Sequence, residues 1–580
     1  MPTVRIGILL AWLAHSSAVT GQDNVAQRDL TLPGAVARGT ALATVLDTRL
    51  IHPQIQAGSR WLAEVTPIKN LLPVHERTWT PRRGAPNSLP LGELTTDRRA
   101  RPISGFPGIA QTPWTPPDPT IAVGPDHIVQ TVNMTIAFYT KHGTLTFSQR
   151  LDSTGNPGFF EDVGGGEFTF DPKCFYDHQA QRFVVVALEV YGTAESYISI
   201  AVSDDSDPHG LWYKYRTDAV TWVSGTSYWV DYPGFGFDDR GYYVTGNLFR
   251  LSGPGPRFAG VLFRAIDKTP MLSGDPVSFN DLRDGGAASV QAAQHHDIPP
   301  APYFVGVENT STIRIHTIDD PFGTPVLQST SVTVPDFEVP FRGAPNAGGT
   351  NLRTLDERII NVHWRDGNLY AGHTVFADSR HQARWYHFDT AAWPNSGDVT
   401  LIQAGNIDAG PDIHTWFPAI YQNGDGDVGL VVAQSRANSF ASIQVTGRKA
   451  NDPLGMMGAL TQIEIGTSGY ILDRWGDFFD IAVDPGNDRT FWVVGEIAID
   501  QTLWATAIGR FLVSLIPGDL NCDGWLNGAD IDPFLLAVGD PDAYEIAFPQ
   551  CDRLAADTNG DGIVNGADVD PFFALLGGGP

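Results

Sequence analysis

The chain has little cysteine, which excludes a fold held together mainly by disulfides. Only Cys174, Cys522 and Cys551 occur among its 580 residues. Cys522 and Cys551 lie near each other in the C-terminal region, and in an oxidising compartment they could pair. Cys174 lies in a short apolar run and is expected to be a buried free thiol. Nothing near these cysteines supplies the paired Cys/His spacing of a zinc site.

Basic residues and long apolar runs are also scarce. The chain has 38 Lys and Arg against 65 Asp and Glu, a net charge of −27. This balance argues against a nucleic-acid partner, because binding to phosphates requires basic patches. No apolar run reaches the length of a transmembrane helix.

The N-terminal segment predicts export. Residues 1–21 carry a basic Arg5, a short apolar run and small residues suited to cleavage, as in a secretory signal peptide. The alternative is a buried N-terminal helix or strand. Residues 22–113 lack sustained periodicity, so we expect a loosely ordered leader or linker with a short helix near residues 37–50. The mature protein is expected to be secreted, or associated with the cell surface.

The central region, residues 114–516, alternates short β-rich runs with turns rich in Gly, Asp, Asn and Pro. Similar openings recur every fifty residues or so. They begin at Asp118-Pro119, Asp171-Pro172, Asp231-Tyr232-Pro233, Trp416-Phe417-Pro418 and Trp475-Gly476-Asp477. The pattern predicts a mainly β fold, a β-propeller of about seven four-stranded blades, with six or eight blades as alternatives. A pair of β-sandwiches or a β-helix is the alternative. Residues 205–212 are similar to a degenerate Asp-box, the hairpin turn of sialidase-type propellers.

Two C-terminal segments repeat one pattern of oxygen-bearing side chains. Each has Asp or Asn at loop positions 1, 3, 5, 9 and 12 with Gly at position 6, the spacing of an EF-hand calcium loop. The backbone carbonyl of position 7 completes the predicted ligand set. The predicted ligands are Asp519, Asn521, Asp523, Trp525, Asn527 and Asp530 in the first loop, and Asp557, Asn559, Asp561, Ile563, Asn565 and Asp568 in the second. The sequence therefore predicts two Ca²⁺ sites, with metal-free Asn/Asp/Gly turns as the alternative.

These duplicated loops, each followed by one short helix, resemble the type I dockerin module. The resemblance covers roughly residues 518–578 and implies a small α-helical calcium-binding module over residues 517–580. It also implies a cohesin-like or cell-surface protein partner. The residue pairs before position 12 are Gly528-Ala529 and Gly566-Ala567, where dockerins often carry residues that contact the partner.

Polar residues at the blade openings are candidates for a site at the propeller axis. Asp118, Asp171, Asp231, His414 and Asp477 could converge there and bind a cation or sugar hydroxyls. Alternatively they cap strand backbones or bond neighbouring blades. Arg474 and Arg365 could also point to the channel. No H-E-x-x-H or G-x-S-x-G motif is present, so no catalytic residue is predicted.

Two functions follow from these patterns. The first is a secreted propeller that binds a ligand such as a glycan and attaches through its calcium-dependent module, as a binding, adhesion or surface-assembly protein. The second is a secreted glycoside hydrolase or lyase acting in polysaccharide catabolism. Glycoside hydrolysis requires a pair of carboxylates, and 65 acidic residues do not identify that pair.

Overall fold

The computed structural model describes residues 30–31, 34–48, 100–154, 157–548 and 551–577. The predicted signal peptide and most of the predicted leader lie outside these residues. Among the described helices, the longest have nine residues, and none is long and apolar enough to span a bilayer.

The described chain is dominated by strands. In chain order, the first half contains β1 (Ala37–Ala41), β2 (Thr44–Asp47), β3 (Arg101–Ala110), β4 (Thr120–Val123), β5 (His127–Val132), β6 (Thr135–Thr140), β7 (Leu145–Arg150), β8 (Thr169–Asp177), β9 (Arg182–Tyr191), β10 (Glu195–Ser203), β11 (Leu211–Asp218), β12 (Thr221–Val223), β13 (Thr226–Phe237), β14 (Gly241–Ser252), β15 (Phe258–Asp267) and β16 (Val277–Asp284). The second half contains β17 (Gln291–Ala292), β18 (Gln294–His295), β19 (Tyr303–Asn309), β20 (Thr312–Asp319), β21 (Val326–Thr333), β22 (Ile359–Arg365), β23 (Asn368–Ala377), β24 (Arg380–Asp389), β25 (Thr400–Ile407), β26 (His414–Gln422), β27 (Val428–Arg436), β28 (Ser439–Arg448), β29 (Thr461–Ile465), β30 (Asp480–Val483), β31 (Phe491–Ala498) and β32 (Trp504–Leu512).

These strands form antiparallel meanders arranged as a β-propeller. The innermost strands β4, β8, β13, β17, β22, β26 and β30 each contact the next, and β30 contacts β4, so the ring is closed. Their side chains are almost all buried, because they pack against neighbouring sheets on both faces. The mainly β propeller predicted from the sequence is confirmed.

The predicted number of separate blades was wrong. Hydrogen bonding gives four sheets of four strands and one of five strands, which are five separate blades. The remaining sheet has eleven strands. The two-residue strand β18 causes the difference. It pairs in parallel with Phe237 of β13 and with His363 and Trp364 of β22, and so joins two antiparallel runs of strands into one sheet.

Segments of the predicted leader belong to the propeller. β3 pairs with β32 and becomes the outer strand of the last sheet, so the N-terminal side of the chain closes the ring on its C-terminal side. β1 pairs with β16 and β2 with β11, each adding an outer edge strand. The expected helix near residues 37–50 was therefore wrong, because sheet edges recruit this stretch as strands.

The recurrent X-Pro openings mark a bulge on the inner strands. Asp118, Asp171, Tyr232 and Phe417 each precede a proline and adopt positive φ of 47–53°. The ladder is interrupted at the last three of these positions. A non-glycine residue in this region costs about 1–3 kcal/mol and persists only where its surroundings enforce it.

The C-terminal region is a small helical module. Its helices are α1 (Ile531–Gly539), α2 (Pro541–Ala547) and α3 (Val569–Gly577). α1 and α3 pack through Phe534 and Phe572, whose rings stack with centroids 3.8 Å apart. Cys522 and Cys551 form a disulfide, whereas Cys174 is a buried free thiol as expected.

Candidate functional site

Four of the five predicted axial residues meet at one end of the propeller. Asp171 and Asp231 lie on β8 and β13, and Asp118 and Asp477 directly precede β4 and β30. Their carboxylates interact electrostatically with one another. We call Asp118, Asp171, Asp231 and Asp477 the axial carboxylates.

His414 does not join this group. Its Nδ1 lies 3.0 Å from Nδ1 of His381, and its charged neighbours are Arg380 and Asp412. The reason is register: in β26 the bulge position before proline is Phe417, so His414 lies three residues too early.

Three of the axial carboxylates have a raised pKa. Burial, followed by the charge of Asp477, raises the pKa of Asp171 to about 6. Burial also raises the pKa of Asp118 and of Asp231 well above the ordinary value. Perturbed carboxylates gathered in this way mark candidate functional sites. Asp171 is partly exposed, whereas Asp118, Asp231 and Asp477 are buried.

Two arginines border the axial carboxylates. Arg474 interacts electrostatically with all four, and Asp477 is its strongest ionic partner. Arg358 bonds Asp356 and lies with its guanidinium 4.2 Å from the ring centre of Tyr232. The expectation for Arg474 is confirmed. Arg365 instead bonds the carboxylate of Asp488.

Asp118 also connects neighbouring blades. Its Oδ1 accepts a hydrogen bond from the backbone N–H of Asp477 at 2.8 Å. Its Oδ2 accepts one from Asn133 Nδ2 at 2.6 Å, and Asn133 Oδ1 accepts one from the N–H of Asp171. The interpretation of these residues as inter-blade bonds is therefore confirmed for Asp118.

Further along the axis, the interior is narrow and polar. A cavity of about 30 Å³ is lined by Lys173, Gln291, Asn361 and Asp480, among others. Lys173 Nζ donates to Gln291 Oε1 at 2.9 Å. Burial lowers the pKa of Lys173 to about 8 and raises that of Asp480 to about 7. The space suits one or two water molecules and is too small for a sugar ring.

Three buried histidines, His295, His373 and His387, lie within the propeller sheets. His295 is buried, with Nδ1 against the carbonyl of Phe237 and Nε2 accepting from the N–H of Tyr303. Burial lowers the pKa of His295, His373 and His387. Residues 423–427 form the turn between β26 and β27.

The two C-terminal loops have the same internal hydrogen bonds. The position-1 carboxylate accepts from the glycine N–H at position 6, in Asp519–Gly524 at 3.0 Å and Asp557–Gly562 at 2.7 Å. The position-12 carboxylates of Asp530 and Asp568 each accept from the N–H groups of positions 2, 3 and 9. The side chains of positions 3, 5 and 9 accept from N–H groups two residues on.

The donor set of the first loop fits a hard cation. Asp519 is buried, and its Oδ1 has no hydrogen-bond partner. Burial, then the charges of Asp530 and Asp523, raises the pKa of Asp519 to about 7. An unpartnered carboxylate oxygen among like charges and amide oxygens is an arrangement that Ca²⁺ would stabilise.

The first loop also contacts the propeller. Arg510 Nη1 donates to the carbonyl of Asp523 at 3.0 Å, and Asn487 Nδ2 donates to the carbonyl of Gly524 at 2.8 Å. Trp525 packs so closely on Gly486 that a Cβ added there would lie 2.3 Å from the indole. In the second loop, the equivalent Ile563 is 63% exposed.

Comparison with known proteins gives distant structural likenesses. No family model and no curated protein matches the chain. A GH43 endo-arabinanase from Bacillus licheniformis is 12% identical over 59% of this chain and 96% of its own, with a TM-score of 0.28. A Trypanosoma rangeli sialidase in complex with the inhibitor DANA is 8% identical over 65% of this chain and 58% of its own, with a TM-score of 0.30. The WD40 domain of SCAP from fission yeast is 8% identical over 68% and 81%, with a TM-score of 0.28. Likenesses this weak carry no argument about this chain.

Proposed function

We propose that the protein is a secreted carbohydrate-active enzyme that hydrolyses a glycosidic bond at the axial carboxylates. The observation that carries the proposal is the meeting of four carboxylates that interact electrostatically, three of them with raised pKa, at one end of the propeller. Glycoside hydrolysis uses one protonated and one ionised carboxyl group on either side of the scissile bond.

Asp171 is the candidate acid, because it is partly exposed and its pKa of about 6 keeps it protonated in mildly acidic solution. It would give its proton to the leaving-group oxygen. Arg474 interacts electrostatically more strongly with Asp477 than with the other three axial carboxylates. Asp477 would serve as the carboxylate that activates water or attacks the sugar.

Replacement of Asp171 tests this proposal. D171N keeps the shape and the acceptor oxygen but removes the acid, so hydrolysis should fall about 10²-fold or more. The control is D378N, since the Asp378 side chain is 71% exposed. Release of reducing ends from a panel of polysaccharides, together with glycan-array binding, gives the readout. Full activity of D171N, or no hydrolysis by the unchanged protein, would contradict the assignment.

A non-catalytic glycan-binding or adhesion protein is the second candidate. It is favoured by the inter-blade hydrogen bonds that occupy both carboxylate oxygens of Asp118. Glycan binding without reducing-end release would favour this function.

We further propose that residues 517–580 bind two Ca²⁺ ions and attach the protein to a cohesin-like or cell-surface protein. Support comes from the duplicated hydrogen bonds of the two loops and the unpartnered Asp519 Oδ1. The ligands are those predicted above, with the carbonyls of Trp525 and Ile563 at position 7. The partner's identity rests on the sequence resemblance alone.

Calorimetric titration of the full chain tests the calcium sites. We expect two Ca²⁺ ions to bind the unchanged protein and none to bind the double variant D519A/D557A, whose propeller stays folded. D532A is the control, because Asp532 is an exposed acid outside the loops. Retention of both sites by the double variant would refute the assignment.

A further inference from the structure

The first two blades meet at a cluster of two histidines and one aspartate. His127 begins β5, and Asp207 and His209 lie in the turn between β10 and β11. One potential ligand atom from each residue lies within 4.8 Å of the other two, and among the described residues this is the one such group of His, Cys, Asp or Glu. The turn is the segment that is similar to a degenerate Asp-box.

The hydrogen bonds around His209 fix which of its ring nitrogens carries a proton. The hydroxyl of Thr146 donates to the carbonyl of Phe138 at 3.1 Å. Since a hydroxyl has one proton, Thr146 Oγ1 must accept from His209 Nε2, which lies 2.7 Å away. In a neutral imidazole the lone pair then lies on Nδ1.

That lone pair faces a carboxylate oxygen. His209 Nδ1 lies 2.8 Å from Asp207 Oδ1, and two acceptors at this distance repel unless a cation lies between them. His127 Nδ1 lies 3.7 Å from the same oxygen and is buried without a hydrogen-bond partner. A second proton on His209 would satisfy the first contact and leave His127 Nδ1 unsatisfied. A metal ion would satisfy all three groups.

We propose that His127, Asp207 and His209 bind a divalent transition-metal ion of the Zn²⁺ class that links the first and second blades. Two imidazoles with one carboxylate suit Zn²⁺ better than Ca²⁺ or Mg²⁺. Metal–ligand distances of about 2.1 Å place tetrahedral donor atoms about 3.4 Å apart, between the two observed distances. The bond from His209 Nε2 to Thr146 is the outer contact that ligating histidines usually make. Water would complete the coordination, because the Asp207 side chain is 56% exposed.

Zinc titration of the full-length protein tests this site. The titration uses protein without a histidine tag, in saturating Ca²⁺ that occupies the C-terminal loops. We expect one Zn²⁺ to bind at micromolar concentration or below and to raise the melting temperature. H127Q and H209Q should each weaken binding by about a hundredfold, and T146V by about tenfold. H142Q is the control, because His142 is an exposed histidine of the same blade.

Two further measurements keep the proposal open to refutation if a histidine variant fails to fold. D207N preserves the side-chain shape and should also lose the ion, and Co²⁺ should give the visible absorption of a site with nitrogen ligands. No zinc binding by the unchanged protein, or equal binding by D207N and H142Q, would overturn the proposal.

Discussion

Buried carboxylates dominate the chemistry at the residue scale. Asp480 lies on the inner strand β30, where its Oδ2 accepts from the N–H of Ile121 at 3.1 Å. Burial penalises its charged form, and nearby Lys173 compensates only in part. Such a residue links neighbouring blades through a hydrogen bond that either protonation state can accept.

The raised pKa of Asp480 predicts how stability changes with pH. Its ordinary pKa is 3.8 and its folded pKa is about 7, so the folded state binds more protons between these values. The resulting stabilisation is present below about pH 4 and is lost as pH rises through about 7, on the order of 1–3 kcal/mol. Asp171 adds to this loss up to about pH 6.

Calorimetric melting of the unchanged protein and of D480N, from pH 4 to pH 8 at constant calcium, checks this expectation. D480N should melt with a shallower pH dependence, because asparagine does not titrate in this range. An identical slope in the two proteins would show that Asp480 is not the group responsible.

Among the secondary-structure elements, β3 closes the propeller, a role that its sequence did not predict. It contains two prolines, Pro102 and Pro107, which favour edge positions because they cannot donate ladder hydrogen bonds. β3 is an outer strand, paired only with β32 among the described residues. This pairing joins the two ends of the propeller.

Removal of β3 should therefore harm the fold more than removal of the other added strands. A chain that begins at Ala100 lacks β1 and β2, and we expect it to remain soluble with a small loss in melting temperature. A chain that begins at Thr112 also lacks β3, which exposes the edge of β32 and opens the ring, so we expect aggregation or a loss of about 10 °C or more. Circular dichroism melting and size-exclusion chromatography distinguish these outcomes, and equal stability of the two chains would contradict a closing role.

At the scale of the whole molecule, the two C-terminal loops differ in their surroundings. The first loop touches the propeller through Arg510, Asn487 and the indole of Trp525. The position-7 side chain of the second loop, Ile563, is exposed. Ordering of the first loop by calcium should therefore also stabilise the propeller, whereas ordering of the second should act within the module.

The variants W525A and I563A separate these effects, since each changes the same position of one loop. We expect calcium to raise the melting temperature of the propeller by a few degrees in the unchanged protein and in I563A. In W525A that increase should largely disappear, because the loop loses the packing of the indole on Gly486. Scanning calorimetry in calcium and in chelator gives the comparison, and an undiminished increase in W525A would exclude coupling through the indole.

Features that depend on local spacing could be predicted from the amino-acid sequence. Alternating apolar residues and regular turns specified a mainly β propeller. The recurrent blade openings located the four axial carboxylates, whereas His414, which was predicted with them, lies elsewhere. The D-x-N-x-D-G spacing also predicted the two repeated loops, whose calcium binding stays a proposal. These features can be predicted because each depends on residues that are close together in the chain.

Sites formed by residues far apart in the chain could not be predicted in this way. His127 and His209 come from different blades about eighty residues apart, and no local pattern links them. Likewise, the pairing of β3 with β32 and the merging of two blades through β18 depend on hydrogen bonds between remote segments. Ring closure brings these segments together, and their local sequences carry no signal of the partner they will meet.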